Sequence, residues 1–508
     1  MMATAVATDP RALAMLCAGL ANGADATDAV ITGLTLDSRR VTPGACFVAL
    51  AGTRTHGLEF LDAALQAQAG AVLFDVDDRR WTTATGQACR AAGVPAIGIR
   101  GLARELGTIA ARFWQEPAES LETVIAVTGT DGKTSVSHFI AAMLDEPDAP
   151  AAVLGTLGRG RIGQVADAGL TTPDAIGIQA ALAALVGDGV RRLAMEASSH
   201  GLAQYRLEGT RIDVAVLTHL GRDHLDYHTD EAAYAAAKAR LFEWPGLKAA
   251  VLNHDDRFGQ TLLRDLDASI RAVTWGRESG DVHAKNVVAE PSGLSFELVV
   301  AGVTVPVSVP LLGAFNVDNL LAACAALVAV GHDLEEVARR MGRVRPVPGR
   351  MEAFQTPGHA TVVVDYAHNA GALASALAAL REHFEGRIWC IFGAGGDRDR
   401  GKRPLMGAAV ARGADRVVVT DDNPRHEDPD SIVSEILAGM PAESDAVIVE
   451  RDRERALARA LREADPADAI LLAGKGHESV QIRGDEILAW SDREAARRQL
   501  GLTGGEAR

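Results

Sequence analysis

The apolar positions of this chain fall into two rhythms that alternate along its length. Short aliphatic runs give way to stretches whose apolar residues recur at helical spacing, with polar or Gly-rich turns between them. The runs at Ala71–Phe74, Ala96–Ile99, Thr123–Val127, Leu193–Glu196, Val214–Thr218, Thr361–Val364, Arg387–Phe392, Arg416–Val419 and Ala469–Leu472 predict strands. Helical spacing predicts helices over Tyr234–Phe242, Leu373–His383 and Pro404–Arg412. Strands alternating with helices imply α/β architecture and parallel sheets, with ligands at the carboxyl ends of the strands.

A chain of 508 residues exceeds what one hydrophobic core organises, and changes of motif and composition divide it into three blocks. The first ends near residue 120, the second spans 121–345, and the third spans 346–508, opened by the helix-disfavouring Pro346, Pro348 and Gly349. With 48% hydrophobic and 23% charged residues the composition is globular. The net charge of −16, without a basic stretch interleaved with aromatics, argues against a nucleic-acid partner. Five scattered cysteines without CxxC spacing suggest neither a disulfide framework nor a zinc site. The first twenty residues lack the basic-then-apolar pattern of a secretory leader, and no apolar run has the length of a membrane span. A cytoplasmic, monomeric protein without membrane insertion is the expectation.

The strand at Thr123–Val127 runs into Thr128-Gly129-Thr130-Asp131-Gly132-Lys133-Thr134-Ser135, followed by a helical pattern. Glycines there let backbone N–H groups approach phosphate oxygens, Lys133 brings a point charge to the β- and γ-phosphates, and the Thr134 hydroxyl suits Mg²⁺. Val127 replaces the first glycine of the general phosphate-loop pattern. ATP binding follows, but a phosphate loop by itself serves motors, kinases and ligases alike.

The choice depends on what comes next. Glu196 ends an apolar strand, where a carboxylate can reach a metal held against the phosphates. Asp223-His224-Leu225-Asp226-Tyr227-His228 then concentrates ionisable groups, and Lys238 lies in the helical run beyond. Alone, a strand-end Glu can cap a helix, a His can serve local hydrogen bonding, and a Lys is usually solvated.

Taken in order and spacing, GTDGKT, MEASSHGLAQYR, DHLDYH and YAAAK resemble the central domain of the Mur ligases. That resemblance covers nearly the whole chain. It implies an N-terminal α/β uridine-nucleotide-binding domain, a central ATPase-like parallel sheet carrying the phosphate loop, and a C-terminal Rossmann-like α/β domain. It also implies that Lys133, Lys238, Glu196 and His224 are catalytic, with Lys238 carbamylated by CO₂. Two Mg²⁺ ions would be held by Thr134, Glu196, His224 and the Lys238 carbamate. ATP would contact Gly129 to Ser135, Asn319, Arg350, Asp365 and His368. The UDP-muramoyl dipeptide would contact Leu36, Ser38, Thr53, Arg54, Thr55, Thr171, Thr172, Ser198, Gln204 and Arg206.

In the third block, Gly395-Gly396-Asp397-Arg398-Asp399, Asp422-Asn423-Pro424-Arg425 and Gly474-Lys475-Gly476-His477-Glu478 resemble the amino-acid pocket of diaminopimelate-adding members. The physical argument agrees. Meso-diaminopimelate differs from lysine by a distal carboxylate on the carbon bearing the ammonium. Arg398 and Arg425 offer planar forks for carboxylate, and Glu478 an acid for the ammonium. Asp422, Asn423, Pro424 and Gly474 complete the expected set. A lysine-adding relative would bury an unpaired arginine, a folate-polyglutamate or cyanophycin type ligase would lack the Asp-Asn-Pro-Arg run, and a non-catalytic nucleotide-binding module would have lost Glu196, His224 or Lys238. The sequence departs from the family pattern at His56, Leu170, His219 and Asn369-Ala370-Gly371.

Overall fold

The computed structural model describes residues 9–21, 29–52, 55–166, 170–225, 227–441 and 445–502; Thr53, Arg54 and Asp226 lie outside the described residues. Contacts divide the chain into two compact units, Met1–Val273 and Thr274–Arg508.

The first unit opens with a parallel sheet in the order β1 (Gly33–Thr35), β2 (Ala45–Ala49), β3 (Ala71–Asp75), β4 (Ala96–Ile99), followed by helix α1 (Leu102–Phe113). Next come β5 (Thr123–Thr128), α2 (Lys133–Leu144), β6 (Ala151–Gly155), β7 (Gly158–Arg161), α3 (Ala175–Gly187), β8 (Arg192–Glu196), α4 (Ser199–Ala203), β9 (Val214–Leu217), α5 (Glu231–Ala239), β10 (Ala249–Asn253) and α6 (Arg257–Asp265). Their strands stand in the order β10-β9-β5-β8-β6-β7, parallel except for the β6–β7 hairpin. Strand β5 is central and fully covered beyond its first residue, as its β-branched sequence requires. Register places Glu196 beside Val127 and Leu217 beside Thr128, so the loop after β5 emerges between the ends of β8 and β9.

The second unit begins with an antiparallel meander of β11 (Val282–Glu290), β12 (Gly293–Val300) and β13 (Val303–Val309), then helices α7 (Phe315–Ala329) and α8 (Leu334–Met341). A six-stranded sheet follows, built from β14 (Glu352–Phe354), β15 (Thr361–Asp365), α9 (Ala370–His383), β16 (Ile388–Phe392), α10 (Lys402–Gly413), β17 (Arg416–Val419), α11 (Pro429–Leu437), β18 (Val447–Val449), α12 (Arg453–Glu463) and β19 (Ala469–Ala473). The strand order is β14-β15-β19-β16-β17-β18, with only β14 antiparallel. A hairpin, β20 (Val480–Arg483) and β21 (Glu486–Ala489), and helix α13 (Asp492–Gln499) end the unit. Val363, Cys390 and Leu471 pack on one face of the sheet, and Val362, Ile391 and Ile470 on the other. Helices on both faces explain why these strands read as continuous apolar runs.

Every predicted strand and helix is present, Ala96–Ile99 and Arg416–Val419 with the predicted bounds and the others with shifted ends. Helix α9 starts at Ala370, ahead of its apolar pattern, because Asn369 caps it by accepting the Ala372 N–H (2.9 Å). Asp230 caps α5 in the same way, and a 3₁₀ turn at Arg240–Glu243 takes up the end of the predicted run. The β11–β13 meander interrupts the strand-helix alternation. All five cysteines are buried free thiols. Among the described residues, no helix is long and apolar enough to cross a membrane.

Candidate active site

The phosphate loop joins β5 to α2 and is shaped by what surrounds it. Gly129 has φ +147°, and a Cβ there would fall 1.7 Å from Thr218 Oγ1 at the end of β9. Glycine is therefore obligatory at this position. The Thr218 hydroxyl donates to Asp131 O (2.6 Å), and the Thr130 N–H donates to His219 O (2.8 Å), so the β9 end braces the loop. Lys133 Nζ donates to the carbonyls of Gly129 (3.0 Å) and Thr130 (2.8 Å), which holds its ammonium over the loop. The Thr130 hydroxyl lies 3.0 Å from Tyr234 Oη on α5. His219 stands 3.5 Å from Asp131.

Glu196 is 1% exposed, yet its carboxylate is fully engaged. The Thr134 hydroxyl donates to Oε1 (3.0 Å), as does the Thr156 N–H (2.7 Å), and the Thr156 hydroxyl lies 3.1 Å from Oε2. Room for this carboxylate depends on Gly155, where a Cβ would fall 2.2 Å from Oε1. Thr156 was not singled out from the sequence; the strand-ending Gly155-Thr156 pair was the available signal. The Thr156 hydroxyl is also 3.0 Å from that of Thr171, and Thr172 Oγ1 donates to Glu196 O (3.0 Å) and accepts the Ser198 N–H (3.1 Å). The predicted dipeptide-side threonines thus meet the predicted metal-side acid.

Lys238 is 1% exposed and donates to Gly129 O (2.6 Å), with Nζ 4.6 Å from the Tyr234 ring centroid. Burial, and then the charge of Lys133, push its pKa down to about 6, so much of it is a neutral amine at neutral pH. His224 adopts φ +54° and packs edge-on against His200 (4.8 Å between centroids), within a group that includes Tyr227, His228 and Tyr234. Among the described residues, no group of three or more His, Cys, Asp or Glu converges as a metal site. Thr134 and Glu196 instead offer hydroxyl and carboxylate oxygens, the donors that suit Mg²⁺ held together with substrate phosphates and water.

Gln204 and Arg206 form one rigid pair, with the Arg206 guanidinium donating through Nε (3.0 Å) and Nη2 (2.6 Å) to Gln204 Oε1 and through Nη1 to Thr172 O (2.6 Å). Gln204 Nε2 reaches Tyr227 Oη (2.9 Å). Ser198 caps α4. Leu36 packs on the N-terminal core, and Ser38 opens a 3₁₀ turn capped by Asp37. Thr55 lines a cavity of about 630 Å³ with His56, Glu59, Asp75, Asp78 and Arg80. His56, a departure from the family pattern, accepts the Leu58 N–H through Nδ1 (3.1 Å), so Nε2 carries the proton that meets Asp78 Oδ2 (2.8 Å).

In the second unit, Asp365 ends β15 and accepts N–H bonds from Met351 and Ala367 (2.8 Å each). Burial raises its pKa. Arg350 stacks over Tyr366, 4.7 Å from the centroid, and the Tyr366 ring also packs against His368 and His477. His368 O accepts from Lys402 Nζ (3.1 Å). Asn319 donates to Asn316 Oδ1 (3.0 Å) on α7.

The segments predicted to form the amino-acid pocket follow the carboxyl ends of β16, β17 and β19. Asn423 Nδ2 donates to Glu478 Oε2 (3.0 Å), and a Cβ on Gly474 would meet Asp422 Oδ2. Arg425 follows Pro424 with φ +52°; its N–H donates to Ile482 O (3.0 Å) and its Nη1 to Gly396 O (2.8 Å). Arg398 is exposed. Burial raises the Tyr366 hydroxyl; Glu478 and Asp422 raise it further, while Arg350 and Arg398 oppose them, so these charges share one neighbourhood. Arg403, not foreseen, is wholly buried and anchors the Gly395 turn through its carbonyl and through Glu427.

Three domain descriptions match the chain: "Mur ligase family, catalytic domain" over residues 30–114, "Mur ligase middle domain" over 127–327, and "Mur ligase, glutamate ligase domain" over 349–476. The UDP-N-acetylmuramoyl-L-alanyl-D-glutamate--2,6-diaminopimelate ligase of Alkalilimnicola ehrlichii is 49% identical, over 94% of this chain and 96% of that protein. Its namesake in Xanthomonas oryzae pv. oryzae is 44% identical over 89% and 90%. A solved structure of a ligase of the same name aligns with TM-score 0.70 at 33% identity, covering 97% of this chain and 99% of the other. With this kinship extending over almost its whole length, the chain belongs to the Mur ligase family.

Proposed function

We propose that this protein is an ATP-dependent ligase that joins meso-2,6-diaminopimelate to the D-glutamate γ-carboxylate of UDP-N-acetylmuramoyl-L-alanyl-D-glutamate, a cytoplasmic step of peptidoglycan biosynthesis. The observation that carries the reading is the bonded Asn423–Glu478 pair beside the Asp422 and Arg425 loop, on a chain 49% identical to a ligase of that name. We assign UDP-substrate binding to residues 1–120, ATP binding to 121–345 and amino-acid binding to 346–508, in a monomer.

The γ-carboxylate attacks the γ-phosphorus of ATP, the bond to the β–γ bridging oxygen breaks, and ADP leaves an acyl phosphate. The amine of diaminopimelate then attacks the acyl carbon; phosphate departs and the amine proton passes to solvent. Backbone N–H groups of the Gly129–Thr134 loop and the Lys133 ammonium bind the phosphates and offset charge that builds on the transferring group. Thr134, Glu196, His224 and Lys238 as a carbamate would hold two Mg²⁺ ions, which supply charge neutralisation when bound. The buried amine of Lys238, with its pKa near 6, favours that carbamate, because only the neutral amine reacts with CO₂. Thr171, Thr172, Ser198, Gln204 and Arg206 orient the dipeptide beside Glu196, and Leu36, Ser38, Thr53, Arg54 and Thr55 take the uridine end. Asn319, Arg350, Asp365 and His368 take the rest of ATP.

Phosphate release from ATP, Mg²⁺ and the UDP-muramoyl dipeptide, compared with meso-diaminopimelate or lysine as the amine, tests the reading. Turnover with diaminopimelate far above lysine is expected; preference for lysine would overturn the pocket assignment.

A further inference from the structure

Lys475 is a wholly buried lysine in the second unit, with 0% of its surface exposed, and the reaction described above does not use it. Its Nζ donates to Asn423 Oδ1 (3.0 Å) and to Glu478 Oε2 (3.1 Å), and the same Oε2 accepts from Asn423 Nδ2 (3.0 Å). Asn423 Oδ1 also accepts the Ile482 N–H (3.0 Å), which ties the triad to the strand that holds Arg425 through its backbone. Removing an ammonium from water is costly and is repaid only by well-placed partners. Both partners here are residues assigned to the amino-acid pocket.

We infer that Lys475 is a positioning residue that sets the preference for a dicarboxylic diamine over lysine by fixing and charge-balancing Glu478. This rests on the pocket reading above. Two consequences follow from the geometry. With Oε2 held by Lys475 and Asn423, Glu478 Oε1 is left to meet the substrate ammonium in one orientation. The second consequence is electrostatic. Lys475 adds one positive charge directly against Glu478, in a neighbourhood that Asp422 shares with Arg398 and Lys402. A diaminopimelate whose nucleophilic amine is neutral carries two carboxylates and one ammonium, a net anion. Lysine in the same protonation state is neutral. The charge of Lys475 therefore favours the substrate with the second carboxylate.

A double-mutant cycle on the full chain, with Lys475→Met, Glu478→Gln and the pair, tests this. In the wild-type background Lys475→Met is expected to raise the diaminopimelate KM about tenfold or more, and to lower the diaminopimelate-to-lysine ratio of kcat/KM by a similar factor. The KM values for ATP and the UDP-muramoyl dipeptide should stay within about twofold, and in the Glu478→Gln background the added effect should fall below about threefold. Equal losses toward all three substrates would make Lys475 a mere strut and overturn the inference, as would full additivity in the cycle. If Glu478→Gln alone leaves the diaminopimelate KM unchanged, the pocket reading itself fails. Should Lys475→Met not fold, Lys475→Gln keeps donors without the charge; it is expected to lower the selectivity ratio, and a wild-type ratio overturns the inference.

Discussion

A lysine that touches almost no water and lies against an aromatic ring behaves unlike its sequence neighbours. Lys238 has a pKa of about 6 in the folded chain against the ordinary 10.5. Between those values the unfolded chain binds the extra proton, so the native state gains stability as pH rises through that window and loses it as pH falls toward 6. Melting curves of the wild type and Lys238→Met between pH 6 and pH 9 should therefore differ in slope, and parallel curves would contradict the shift. Protein equilibrated with ¹³C-bicarbonate should show a carbamate carbonyl signal that is absent from Lys238→Ala. That variant should lose nearly all turnover and regain part of it with short carboxylic acids. A second residue-scale expectation concerns Gly155, which leaves room for the Glu196 carboxylate. Gly155→Ala should displace that carboxylate and lower kcat by about 10² with little change in melting, since small misplacements at a reacting centre are that costly. An unchanged kcat would show that Glu196 tolerates the shift.

Elements set these residues in place through their ends more than through their interiors. Strands β8 and β9 end level with β5, so Glu196 and Thr218 arrive at the phosphate loop from either side. Caps define where the helices begin, and α9 illustrates this because Asn369 departs from the family pattern yet accepts the Ala372 N–H. Asn369→Ala should cost about 1 kcal/mol in urea-unfolding free energy. A change within error would mean that water replaces the cap without loss. The His56 departure is accommodated in the same local way, by a backbone N–H on one ring nitrogen and Asp78 on the other.

At the scale of the whole molecule, two compact units each enclose their own hydrophobic clusters. A chain of this length is expected to depart from two-state unfolding, so calorimetry should resolve more than one transition, and a single one whose calorimetric and van't Hoff enthalpies agree would overturn that expectation.

Periodicity and turn chemistry in the sequence by itself determined the α/β class, the strand at Thr123–Val127 and the loop through Lys133 and Thr134, while Asn423, Arg425 and Glu478 were singled out by motif resemblance. These are local signals, carried by residues close together along the chain. Only the tertiary structure decided that Thr156, in a different loop, holds Glu196, that Gly155 and Gly129 leave room for side chains from other strands, and that Lys475 sits behind Asn423 and Glu478. Nor could spacing show that Lys238 is buried enough to lose its charge. Desolvation and close approach depend on neighbours brought together by the sheet, and one segment read alone does not contain them.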